Sequence, residues 1–591
     1  MDHLYIEISS ENGAETEFFT TIKSFTALYV YLFLEKPKTI KLCFVLSKNL
    51  HNFGKIKLNS ELLKRELTEN DIICNDSTSE QHILDLHLPL YGKNGDTFIA
   101  GMCAVCREII HQSDKKELLG FKESCLLAPA EASIWTRYFE VDIVRVLCGT
   151  LTKIENNIEC SDFPIECVHF ENHMNEPVRM HNIYKLARER ANEQGSSNVE
   201  DNDGHRKKVT IECKIPKEQL AIDHKFAEGV SFTIADLILY PYIRIIFHCY
   251  TGMLDKFPLT KRWLHEVDDF EPKCAHILKE CCIFPSGFAK TGCWNLPKCD
   301  AFSLYKSDPK RYKPRNRIFT EQKEVDVALN KLQSLGISFN SISDCRYDQF
   351  NVDWDHIEPS HAVSSALPIN RLERKRQQLE NLANAVVSLS NPGYRIIDFC
   401  SGTGHLGLLL ALQLPECTVI LLENKPFSLQ KAKERARELN LRNVKFYQSN
   451  IDYFNGHFDI GCSLHACGTA TDIVLAQCHR VKAMFVTCPC CYGSLQPMPH
   501  IKYPLSKEFR SVLTEKEFLY IAHTADQAHA LGTLNCSPET TMQGQLCMDI
   551  VDTDRKLQAE NIGYKVTLTR LKPENCTPKN RLLVGKYCND N

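Results

Sequence analysis

Ile396-Ile397-Asp398-Phe399-Cys400-Ser401-Gly402-Thr403-Gly404-His405-Leu406-Gly407 decides the fold of the last third of the chain. A short apolar strand is closed by Asp398, and a loop then passes Gly402, Gly404 and Gly407 before the apolar run Leu408 to Leu414 opens a helix. Glycine is needed where a turn demands unusual dihedrals or a bulky ligand lies against the backbone. Strand-like runs recur at helix-length intervals beyond it, at Thr418 to Leu422, Val444 to Gln448, Phe458 to Ser463 and Ala483 to Thr487. That alternation predicts βαβ units in a parallel, doubly wound sheet. Val566 to Leu571 and Leu582 to Lys586 are joined only by a loop rich in Pro and Asn, so the last two strands are predicted to pair as a hairpin.

The glycine pattern alone suits a nicotinamide-nucleotide fold as well. There, however, the glycine turn follows the strand almost at once, whereas here Asp398 closes the strand and three residues intervene before Gly402. Glu423 ends the next strand about twenty residues beyond the glycines, a separation at which a carboxylate accepts hydrogen bonds from ribose hydroxyls. Two phrases rich in reactive side chains, Ser463-Leu464-His465-Ala466-Cys467-Gly468 and Thr487-Cys488-Pro489-Cys490-Cys491-Tyr492-Gly493, follow the fourth and fifth strands. Both fall at carboxyl ends of strands, where open α/β sheets bind ligands.

Taken with the terminal hairpin, this arrangement resembles the class I S-adenosylmethionine-dependent methyltransferases. The resemblance implies S-adenosylmethionine as cofactor, held by Asp398, Cys400, Gly402, Gly404, Glu423, Asn450 and Ile451. Cys400 stands where that family usually has its first glycine, and Asn450 where an aspartate is common. The two later phrases, with the ending Thr577-Pro578-Lys579-Asn580-Arg581, resemble segments of a eukaryotic methyltransferase group that includes a tRNA ribose methylase and relatives of the rRNA adenine dimethylases. Methyl transfer from a sulfonium requires in-line placement of the acceptor and a route for its proton, which His465 is a candidate to take. Cys490, Cys491 and Tyr492 are candidate substrate contacts. Cys488 is a second catalytic candidate, a thiolate nucleophile as in RNA cytosine-5 methylation. Alternatively Cys488, Cys490 and Cys491 hold zinc with His465 or Cys467. The Pro-Cys partner that the nucleophile reading expects after the fourth strand is missing, and Cys-x-Cys-Cys lacks structural-zinc spacing, so neither reading is preferred and no metal is predicted.

The front half has a different pattern. Leu4 to Ile8, Phe25 to Leu34 and Ile40 to Leu46 read as a βαβ opening, and Pro89 inside Leu84 to Tyr91 marks an edge or a cis turn. In Phe232-Thr233-Ile234-Ala235-Asp236-Leu237, Thr233 fits an N-cap, Asp236 its N3 partner, and Phe232 with Leu237 a hydrophobic staple. These features resemble the glutathione S-transferases, a thioredoxin-like domain followed by an all-helical one. The stretch corresponding to that family's Glu/Gln-Ser pair is Phe98-Ile99-Ala100-Gly101, with no hydroxyl or carboxylate, so glutathione conjugation is not expected. Cys103-x-x-Cys106 falls within an apolar helix and reads as packing. The organisation expected is a thioredoxin-like domain over residues 1–124, a helical domain over 125–289 with a polar insertion near 191–208, a linker over 290–380, and the methyltransferase domain over 381–591.

Length and composition bound the rest. At 591 residues, with 43% apolar and 24% charged residues, the chain is an ordinary multidomain globular protein. A net charge of −4 carries no global attraction for nucleic acid. The start MDHLYIEISS has no export pattern and no apolar stretch is long enough to span a bilayer, so the expectation is a cytoplasmic protein without membrane contact, its 28 cysteines reduced. Two local basic runs, Lys310-Arg311-Tyr312-Lys313-Pro314-Arg315 and Arg371 with Arg374-Lys375-Arg376, supply phosphate contacts if the acceptor is RNA, with Lys310 and Arg311 as substrate-binding candidates. The reading is therefore an S-adenosylmethionine-dependent methyltransferase acting on RNA, with a partner-binding front half. The competing reading is a non-catalytic adaptor that keeps the fold.

Overall fold

The computed structural model describes all residues except 11–16, 48–49, 51–53, 70, 75–79, 128–133, 180–181, 195–210, 212–214, 221, 289–293, 300–303, 305–319, 340–346, 348–351, 355–368, 528–536 and 589–591. Two compact units divide the chain, residues 1–312 and 313–591.

In the first unit, β1 (Asp2–Ser10) lies at the centre of a mixed sheet. β2 (Phe18–Thr21) pairs antiparallel with the end of β1, and α1 (Ile22–Phe33) starts where Thr21 accepts a hydrogen bond from the Ser24 amide. β3 (Ile40–Leu46) then returns parallel to β1, completing the expected βαβ opening. β4 (Lys55–Lys57) pairs with β2, β5 (Asp71–Cys74) with β3, and β6 (Leu90–Lys93) and β7 (Thr97–Ala100) form an antiparallel hairpin on the other side of β1. The Leu88-Pro89 peptide is cis. α2 (Met102–His111) follows, with Cys103 and Cys106 buried in the apolar core and their thiols pushed well up by burial, the opposite of a redox pair. Among the helices that follow are α3 (Ile143–Glu155), α4 (Ile165–Met174), α5 (Ile234–Cys249), α6 (Pro258–Phe270) and α7 (Lys273–Cys281). α5 is apolar on almost every face and buried, as a helix surrounded by others must be.

The second unit begins with α8 (Gln322–Gln333) and α9 (Ile369–Leu389). α9 runs through residue 381, where the sequence suggested that the domain begins, because its apolar stripe Leu379, Leu382, Ala383 and Val386 is core. β8 (Arg395–Phe399), α10 (His405–Gln413), β9 (Thr418–Glu423), α11 (Pro426–Glu438), β10 (Val444–Gln448), β11 (Ile460–Cys467), α12 (Thr469–Val481) and β12 (Met484–Cys490) alternate as predicted. α13 (Glu515–Ala525), α14 (Pro538–Glu560), β13 (Tyr564–Arg570) and β14 (Arg581–Tyr587) close the chain. The strand order is β13-β14-β12-β11-β8-β9-β10. β8 to β12 are parallel, β14 is antiparallel to β12, and β13 with β14 is the predicted hairpin. The chain leaves β8 toward β9 and β10 on one side and returns to β11 and β12 on the other, so a crevice opens at the carboxyl end of β8. No helix among the described residues is long and apolar enough to cross a membrane.

Candidate active site

The glycine loop borders that crevice, and two carboxylates fix its shape. Asp398, 2% exposed, accepts a hydrogen bond from the Gly407 amide at 2.9 Å, tying the end of β8 to the first turn of α10. Glu423, at the end of β9, accepts from the Gly402 amide at 2.8 Å through one oxygen and from the Lys425 amide at 3.0 Å through the other. The three glycines differ in what they do. A Cβ on Gly404 would stand 2.7 Å from Ala432 Cβ, and one on Gly407 2.8 Å from Leu421 Cδ1, so these two let α10 close onto the sheet. A Cβ on Gly402, where φ is +57°, would meet nothing within 4 Å. Gly402 faces open space, and beside it the buried Ser401 Oγ has no hydrogen-bond partner. Cys400, half-buried, takes φ +56°, and its thiol is pushed up to about 12 by burial and then by Glu423. Asn450 Oδ1 accepts from Asn424 Nδ2 at 3.3 Å, and Ile451 next to it is buried.

Burial pushes Asp398 up to about 7, against the Gly407 hydrogen bond and the Lys375 ammonium and with the Glu423 carboxylate. Lys375 is the site residue that sequence reasoning missed: its run with Arg374 and Arg376 read as phosphate contacts for RNA. α9 instead distributes the three. Arg374 is exposed, Arg376 stacks on the Trp354 ring at 5.3 Å, and Lys375 is half-buried among Asp398, Cys488 and His465, its ammonium disfavoured by burial. The signal available was the apolar stripe of α9, whose continuation through residue 375 points that position at the sheet.

At the neighbouring strand ends, His465 reaches solvent and has φ +70°. The protein around its imidazole disfavours the charged form, and with the Lys375 ammonium this brings its pKa down to about 4, so the ring is neutral at pH 7. The Cys467 thiol is exposed, 3.4 Å from Cys490 Sγ and 3.3 Å from Cys491 Sγ. Hydrogen bonding from Cys490 draws it down to about 6. Among the described residues of this unit, five other than glycine have positive φ; Asn440 and Lys482 end helices, and the other three, Cys400, His465 and Cys491, stand at the carboxyl ends of β8, β11 and β12. Left-handed backbone costs roughly 1 kcal/mol at each such residue, and its concentration here marks the strand ends as built for something other than stability.

Two candidates are placed apart from this group. Cys488 is 2% exposed within the apolar core, its thiol donating to the Lys579 carbonyl at 3.4 Å, and burial pushes it up rather than toward the thiolate a nucleophile needs. Tyr492 is fully buried, and its hydroxyl donates to Asp552 at 2.7 Å. Asp552 also takes Arg555, which forks onto Asp472, so Tyr492 anchors its loop from within the core and presents no surface to a substrate. Lys310 and Arg311 lie outside the described residues.

A family model described as a methyltransferase domain matches residues 374–498, which takes in Lys375, the glycine loop and both cysteine-bearing strand ends. The glutathione S-transferase C-terminal domain-containing protein homolog of Drosophila melanogaster is 59% identical over 595 residues, 100% of both chains. The glutathione S-transferase C-terminal domain-containing protein of Homo sapiens is 32% identical over 651 residues, covering 99% of this chain and 98% of its own length. A shorter match, 35% identical over 102 residues, relates 17% of this chain to 47% of the ribosomal RNA small subunit methyltransferase G of Vibrio campbellii.

Proposed function

We propose that this chain, which belongs to the family of glutathione S-transferase C-terminal domain-containing proteins, is an S-adenosylmethionine-dependent methyltransferase whose acceptor is RNA. The observation that carries the reading is the glycine loop itself, pinned at Gly402 and Gly407 by Glu423 and Asp398 while Gly402 faces open space. The residues present fit the cofactor. Each Glu423 oxygen accepts one backbone amide and keeps a lone pair for a ribose hydroxyl, and the orphaned Ser401 Oγ awaits a partner beside Gly402. Asn450 and Ile451 border the adenine side. When bound, S-adenosylmethionine supplies a methyl group activated by its sulfonium charge.

The chain's own residues orient the acceptor, exclude water and take up a proton, and orientation carries most of the rate. Asp398, ionised above about pH 7, offers a negative charge to a cationic donor. His465, neutral at pH 7, has a free base to receive the acceptor's proton, with Cys490 and Cys491 bordering the same side. Support for RNA comes from the exposed Arg371 and Arg374 on α9, which suit phosphates, and from the partial likeness to a ribosomal RNA methyltransferase. The thioredoxin-like and helical front half serves partners in this reading. Phe98, Ile99 and Ala100 are buried in β7, and none of these three side chains carries a hydroxyl or carboxylate for glutathione. A groove of about 370 Å³, lined by Phe247, Leu264 and Leu278 together with Arg244, His248 and Lys279, offers a concave surface of mixed apolar and basic character in the helical part.

Calorimetry of the full chain with S-adenosylmethionine, with glutathione as the control, tests the cofactor: micromolar binding of the first and none of the second is expected. No binding at high micromolar concentration sinks the enzyme reading and leaves the adaptor. Incubation with radiolabelled methyl donor and total cellular RNA or protein then tests the acceptor, label in protein alone overturning RNA. His465→Ala is expected to spare binding and lower turnover about a hundredfold.

A further inference from the structure

Cys467, Cys490 and Cys491 come from two strands, and regular strand geometry would keep their thiols apart. In the register of β11 on β12, Leu464 stands opposite Cys488, which would put Cys467 opposite Cys491. One extra residue on β11 between Leu464 and Cys467, beside the left-handed His465, shifts the pairing so that Cys467 faces Cys490. Successive residues of a strand project to opposite sides, so Cys490 and Cys491 should also diverge. The left-handed backbone of Cys491, φ +51°, turns it back. Two backbone irregularities, each at a residue with a side chain, thus bring three thiols to one point, all three sulfurs lying within 4.8 Å of one another. Among the described residues no other group of three His, Cys, Asp or Glu side chains converges in this way.

We infer that this is a metal site for a thiophilic divalent cation, zinc by the chemistry of its donors, bound by the three cysteine sulfurs with a fourth position open. Sulfurs about 2.3 Å from a tetrahedral zinc stand roughly 3.8 Å apart, so the 3.3 Å and 3.4 Å separations need only a small expansion to admit the ion. The thiols lose their protons as the ion binds. Cys467 is exposed, giving an entry path, and three protein ligands with a vacant fourth position distinguish a reactive zinc from a closed structural one. The vacancy lies at the carboxyl ends of β11 and β12, where an oxygen, nitrogen or sulfur of an acceptor can complete the shell. The donor set differs from the one the sequence suggested: Cys488 is in the apolar core, and the third sulfur is that of Cys467, 23 residues before Cys490.

The test measures zinc in the full chain purified under reducing conditions without chelator, by plasma mass spectrometry, and then titrates the metal-free chain with Co²⁺, reading the thiolate-to-cobalt absorption band. One zinc per chain is expected, and Cys467→Ser and Cys491→Ser are each expected to weaken binding at least a hundredfold with unchanged circular dichroism. Cys588→Ser, at an exposed cysteine outside the cluster, is expected to keep its zinc. Less than stoichiometric zinc in the unaltered chain overturns the site, as does full retention in Cys467→Ser and Cys491→Ser. A disulfide from Cys467 to Cys490 or Cys491 in the reduced preparation also overturns it, since the sulfurs would then be a redox pair. Metal content and S-adenosylmethionine affinity are separate readouts, so loss of either leaves the other interpretable.

Discussion

Asp236 and Asp398 are the same kind of residue in nearly the same local setting, and they teach different things. Each is a buried carboxylate that accepts a backbone amide at the start of a helix, and burial raises both, to about 6 and about 7. Asp236 is saturated. One oxygen takes the Ala227 amide at 2.7 Å and the Trp263 indole at 2.8 Å; the other takes the Thr233 amide at 2.9 Å and the Thr233 hydroxyl at 3.3 Å. Asp398 has a single hydrogen bond, from Gly407, and a lysine ammonium nearby. A raised pKa therefore does not separate a structural carboxylate from a functional one. Unused acceptor capacity does, because a folded core satisfies its buried polar groups and a ligand site leaves some for the ligand.

Truncation is the strongest way to break that contrast. Asp236→Ala orphans buried donors and is expected to destabilise the chain by about 4 kcal/mol in chemical denaturation, leaving S-adenosylmethionine affinity unchanged. Asp398→Ala is expected to do the reverse. Affinity falls about a hundredfold, or roughly 2.7 kcal/mol by calorimetry, while stability drops by only about 1 kcal/mol. Equal losses of stability in the two variants would erase the distinction between a structural and a ligand carboxylate.

Next comes pH. Because Asp398 titrates near 7, a cationic donor meets a carboxylate above that value and a neutral acid below it. Affinity is expected to fall about tenfold as pH drops from 8 to 6, and Asp398→Asn is expected to flatten the curve. Asp236, like Asp398, also shows its titration in stability. Its folded value lies above the usual aspartate value, so the folded state holds the proton more tightly. That contribution is fully present below about pH 4 and is lost as pH rises through about 6.

What was legible in the sequence follows the same division. The Thr233-Asp236 cap, the βαβ opening, the glycine loop and the terminal hairpin rest on interactions within a few residues or between successive elements, and pattern reading reached them. Other features depend on pairs far apart in the chain. Arg555 meets Asp472 across 83 positions, and Tyr492 is buried by that network, although its place in a motif made it a substrate contact. Lys375 looked like a surface charge because it stands between Arg374 and Arg376; the apolar stripe of α9 shows which way it turns, but its partner Asp398 lies on a later strand. Cys467 joins Cys490 only because one extra residue shifts a register that no residue type announces.

The smallest effect sharpens the contrast within the glycine loop. Gly404 and Gly407 are held by neighbours that a methyl would strike, so packing requires glycine at both, and at Gly404 a φ of +82° adds to it. Gly402 is held only by its backbone: φ is +57° and no atom lies within 4 Å of where a Cβ would be. Gly402→Ala therefore costs only the left-handed penalty, about 1 kcal/mol of stability by denaturation. Its added methyl projects into the space assigned to the cofactor, so affinity should fall further than stability, with melting temperature nearly preserved. Unchanged affinity in a stable Gly402→Ala chain would place the ligand away from this loop and return the open space to plain solvent.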